Sequence, residues 1–157
     1  MGVSHSWRMF RRMQYSAFAA AALIYAGAAV HAWSALPGDA TVKLQRMLLY
    51  PGVMFLATLT LPLAVPALRH LLKTHIWISF RTGFGQSVVS VLAVMVVLLG
   101  MAAFIYVDTA RAAHGGAFPA SAFSAYAAGM GVLLAQAILV RRLERDPVLR
   151  PAIEGAA

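Results

Sequence analysis

Four apolar stretches, at residues 15–36, 47–68, 88–107 and 118–140, contain no Asp, Glu, Lys or Arg. Each is close to the ~20 residues an α-helix needs to cross the hydrocarbon core of a bilayer. Backbone donors and acceptors find no water in lipid, so a spanning segment must pair them internally. Segments of this length do so as helices, whereas barrel strands run about ten residues with alternating polarity. No such alternation is present. Only 11% of the chain is charged and 61% is hydrophobic, against roughly a quarter charged in soluble domains. The expected fold is an all-α integral membrane protein, a four-transmembrane-helix bundle forming a single membrane domain over residues 1–157.

The basic residues orient the bundle. Arg8, Arg11 and Arg12 precede the first span, Arg69, Lys73 and Arg81 lie between the second and third, and Arg141, Arg142, Arg145 and Arg150 follow the fourth. Only Lys43, Arg46 and Arg111 fall in the other two connections, a bias of ten against three. The positive-inside rule then places both termini in the cytoplasm. The basic balance is accounted for by topology and anionic headgroups, and nucleic-acid binding is not expected. Ala-rich usage and short loops suit a bacterial inner membrane.

The N-terminus carries two targeting-like patterns. Arg11 and Arg12 with Val30-His31-Ala32 resemble a signal peptide and its cleavage site, but the apolar stretch is long for one, and no cleavage is expected. Met1-Gly2-Val3-Ser4-His5-Ser6 matches a myristoylation pattern. One acyl chain adds little to a chain with four spans.

Several chemistries lose their residues. There is no cysteine, so disulfides, thiolate metal sites and cysteine nucleophiles are ruled out. Gly83-Phe84-Gly85 is a fragment of a nucleotide loop and reads as a turn entering span three. The five acids, Asp39, Asp108, Glu144, Asp146 and Glu154, all lie outside the spans. That disfavours ion-coupled transport, which keeps an acid in the membrane, and it leaves no acid/base pair for hydrolysis. Asp39 and Asp108 suit capping, or pairing with Lys43 and Arg111.

Packing signals are clearer. In span four, Ser121, Ala125 and Gly129 form one series spaced by four and Ala127, Gly131 and Ala135 another, so two faces permit close backbone approach. Span one offers Ala22, Ala26 and Ala29, or Ser16, Ala20 and Gly27. Spans one and four are therefore the expected close pair. Span three, rich in valine, reads as more lipid-exposed. Pro62 and Pro66 predict a kink in the second helix, with Thr58 and Thr60 near enough to serve the freed carbonyls and Pro51 in a tolerated first-turn position.

Residues 69–87 read as a cytoplasmic interfacial connection in which basic residues alternate with Leu, Ile, Trp and Phe, and 141–157 as a cytoplasmic tail. His75, Trp77, Phe80 and Arg81, with Ala125, Gly129 and Gly131, are the candidate partner-binding residues. A heme b would need axial histidines at matching depth. His31 and His114 are the pair sharing a side, if the loop 111–116 folds back. A quinone pocket could form at the kink near Pro62 and Pro66. His70 and His75, five apart, make a poor metal pair, and no catalytic residue or metal ligand is assigned. Two functions follow: a non-catalytic accessory subunit of a larger membrane complex, or a heme b- or quinone-binding anchor of an electron-transfer complex.

Overall fold

A computed structural model describes residues 3–81, 84–117 and 119–145, with the side chains of 3–6, 75, 77–81, 84–87 and 144 outside the description. The described residues are helical, without strands, in the order α1 (Val3–Ala35), α2 (Ala40–Leu44), a π-helical turn (Gln45–Leu49), α3 (Tyr50–Ala64), α4 (Pro66–Arg81), α5 (Phe84–Ala113) and α6 (Ala120–Glu144). Four helical runs, Trp7–Ala35, Ala40–Ala64, Val88–Ala113 and Ala120–Leu143, are long and apolar enough to cross a membrane. The chain is an integral membrane protein whose apolar helices contact the bilayer.

Helix α6 is the centre of the bundle. In its most apolar window 56% of residues are buried, against 11% in the run through α2 and α3. Its closest neighbour is α3, and α1 and α5 also pack on it. This corrects the expectation that spans one and four form the closest pair. The reason is local: a Cβ at Gly131 would stand 2.5 Å from the Phe55 carbonyl oxygen and collide with the Thr58 hydroxyl, so the missing side chain is what lets the backbones of α3 and α6 meet. At Gly129 a Cβ would meet the Leu98 Cδ2 atom of α5 at 2.9 Å. Ser121 and Ala125 are exposed.

Of the two small faces expected of α1, Ala22 and Ala29 are half-buried against the core, whereas Ala26, Ser16 and Gly27 are exposed. The helix buries Trp7, Phe10, Gln14, Ala17 and Ala21, alternately three and four apart, then Ala28 and Ala32. Helix α5 does the same with Leu98, Ala102, Ile105, Thr109 and Ala112. This 3.5-residue average is the seam of left-handed helix packing. The expected exposure of span three holds for its other side, where Val89, Val96 and Val97 are open. The three N-terminal arginines belong to α1 itself, with Arg8 and Arg12 pointing outward while Trp7 and Phe10 are buried.

The second span is irregular at both ends. Pro51 falls in the first turn of α3, as expected, but the helical run continues back to Ala40, so the proline still interrupts a backbone ladder. Pro51 cannot donate to Met47, four residues back. The ladder slips to π geometry just before it, and the Tyr25 hydroxyl donates to the freed Met47 carbonyl at 2.6 Å. At the other end Val65 is extended (φ −80°, ψ 116°), separating α3 from α4. That is the conformation favoured before proline, here Pro66, while Pro62 lies within α3. The threonines do not serve the carbonyls the prolines free. Thr58 donates to Met54 and Phe55 at 2.9 and 3.1 Å, and Thr60 donates to Leu56 at 2.7 Å.

Candidate functional site

One partly open space lies toward the end of the bundle where α1 and α5 begin and α4 and α6 end. A cavity of about 370 Å³ is lined there by Phe10, Gln14, Ile76, Ser90, Val91, Ala93, Val94 and Gln136. Because one cavity touches the N-terminal half of α1 and the C-terminal half of α6, those two helix ends lie on the same side of the bundle. Helix α4 closes that side through Ile76, which is only 2% exposed.

Gln14 is the unusual member. It belongs to the buried seam of α1, is 2% exposed, and its Oε1 atom has no hydrogen-bond partner among the described residues. A buried amide oxygen without a partner costs free energy comparable to a lost hydrogen bond. Gln136 reaches the same cavity from α6 and also lines an adjoining groove of about 370 Å³ with Pro62, Leu68, Leu71, Leu72 and Val132. Pro66 is exposed and is not among the lining residues of that groove.

Aromatic contacts tie the helices at mid-height. Tyr126 donates to the Ala21 carbonyl at 3.0 Å. The Tyr25 ring lies edge-on to Phe123 with centroids 5.6 Å apart, and Phe18 of α1 meets Phe55 of α3 at 6.3 Å. These arrangements fall in the range of favourable aromatic pairs.

The histidine candidates sit at the opposite end. His31 is exposed and packs its ring against Tyr106, with centroids 4.9 Å apart. His114 is exposed in the turn after α5. The segment 111–116 closes on the end of α5 itself. Gly116 and Gly115 donate to Arg111 and Ala112 at 3.0 and 3.1 Å, with Gly115 at φ +96°, which is a Schellman cap on α5. No hydrogen bond or ring contact joins His31 to His114 among the described residues, and no group of three metal-ligating side chains is found among them.

Nearby charges have ordinary roles. Arg111 pairs with Asp108 at 3.3 Å, three residues away and largely exposed, as expected, and such pairs contribute little. Lys43 does not pair with Asp39 through side chains. It donates to the Trp33 carbonyl at 2.9 Å and lies 5.5 Å from the Trp33 ring centroid. Of the partner-binding candidates, His75, Trp77, Phe80 and Arg81 have helical backbone in α4 and side chains outside the described residues. Ala125 is exposed, Gly129 faces Leu98, and Gly131 faces α3.

No protein-family model matches the chain, and neither the curated proteins nor the solved structures provide a significant match. The cavity is the feature that reading the spans alone passes over. Gln14 lies one residue outside the apolar stretch at 15–36, and the signal that could reveal it is the Trp7-Phe10-Gln14-Ala17-Ala21 spacing, which continues the buried face past the arginines.

Proposed function

We propose that the chain is a non-catalytic accessory subunit of a larger membrane-protein complex, stabilising or positioning its partners. The supporting observation is the uneven covering of the bundle. More than half of the apolar stretch of α6 is buried by its own chain, whereas the run through α2 and α3 packs along one strip and leaves Leu49, Val53 and Leu56 open on a common face. In this reading lipid covers part of that apolar edge and a partner's helix covers the rest, by close packing of side chains rather than by removal of water. The partner class is a membrane subunit of an electron-transfer, light-harvesting or transport complex. The basic end bearing Arg8, Arg12, Arg141 and Arg142 faces the cytoplasm, and the membrane is a bacterial inner membrane.

Extraction of the tagged protein in mild detergent and mass spectrometry of the co-purifying chains tests this. A membrane chain recovered in fixed ratio is expected, reduced by Val53→Trp and retained with Val96→Trp on the outer side of α5. A chain that runs alone as a stable, active species overturns the reading.

A further inference from the structure

We propose that the cavity between α1, α4, α5 and α6 binds an uncharged, lipid-phase molecule carrying a hydroxyl head, such as a quinol or a diacylglycerol. This goes beyond the accessory role and does not depend on it. The volume, about 370 Å³, lies in the roughly 300–1,000 Å³ range of small-molecule sites. Its walls are mostly apolar, with Phe10, Ile76, Val91 and Val94 contributing, and no charged residue lines it among the described residues. Among these described residues a charged head would find no counter-charge to offset its desolvation.

Gln14 supplies the specificity. Its side chain lines the cavity from the seam of α1, with an amide oxygen that has no partner among the described residues. A hydroxyl satisfies that amide whichever way its oxygen and nitrogen are arranged, because it both donates and accepts. A ketone or ether can only accept. Gln136 lines both this cavity and the groove with Leu71, Leu72 and Val132, so the apolar body of the ligand has a bed beside the site of its head.

The test uses the full chain in phosphatidylcholine nanodiscs, with thermal unfolding followed against decylubiquinol, the dimethyl ether of decylubiquinol and dioctanoylglycerol. A saturable rise in Tm with either hydroxyl probe and none with the ether supports the proposal, and the probe that acts identifies the source. Gln14→Leu is expected to weaken binding about tenfold, and Val94→Phe, which fills the cavity, to abolish it. If Gln14→Leu does not fold, Gln136→Leu and Val94→Phe carry the comparison. An equal response to the ether, no response to either hydroxyl probe, or undiminished binding in folded variants overturns it, leaving water as the partner of Gln14.

Discussion

The Tyr25 hydroxyl and the Met47 carbonyl oxygen stand 2.6 Å apart, joining α1 to the π-helical turn of the second span. Pro51 creates the need for this bond, since it removes the donor that would have served Met47. Tyr25→Phe is expected to destabilise the protein by roughly 1 kcal/mol. In a Pro51→Ala background, where the backbone can donate again, the same change is expected to cost less. A double-mutant cycle on unfolding in mixed micelles measures the coupling, and additive effects at the two positions refute the linkage.

Close approach of α3 and α6 depends on Gly131. Gly131→Ala places a methyl against the Phe55 carbonyl and Thr58, and a loss of roughly 1–3 kcal/mol is expected from overpacking. Gly129→Ala meets only the end of the Leu98 side chain and is expected to cost less. Gly100 has nothing within 4 Å, so Gly100→Ala is expected to stabilise its helix by up to about 1 kcal/mol. The order of the three midpoints, measured in the same detergent, is the check.

The buried seam and the small-residue faces show what the sequence makes legible. The spans can be read because each excludes charge, and charge in lipid is costly. Which helix occupies the centre cannot be read from small residues alone, because alanine is common on every face of α1 and only α6 combines it with Gly131 opposite a backbone. Helix α1 illustrates the same limit. Arg8, Arg11 and Arg12 interrupt its hydropathy, although the face carrying Trp7 and Phe10 is continuous with Ala17 and Ala21. The cavity lining draws on four helices distant in sequence, so only Gln14 left a local trace.

Absence of cysteine from the chain makes topology directly measurable. Single replacements Asp39→Cys and His114→Cys are expected to react with a membrane-impermeant maleimide in intact cells. Arg12→Cys and Arg142→Cys are expected to react only after permeabilisation. The reverse pattern overturns the proposed orientation.

His31 rests on Tyr106 at one rim of the bundle. His31→Ala is therefore expected to leave the visible absorbance of the purified protein unchanged and to alter stability by less than about 1 kcal/mol. A Soret band lost in this variant would establish heme ligation and displace the accessory reading.

The π-helical turn at Gln45–Leu49 also sets the angular phase of the second span. An α-helix advances about 100° per residue, so one residue accommodated in a widened turn rotates everything beyond it relative to what precedes it. Lys43 lies on one side of that offset and Phe55 and Thr58 on the other, so the rim where Lys43 meets Trp33 and the face presented to α6 are indexed separately within one continuous rod. Removing a single residue from the turn would return it to regular geometry and leave the α3–α6 register intact, whereas the same deletion after Phe55 would shift Thr58 out of line with Gly131.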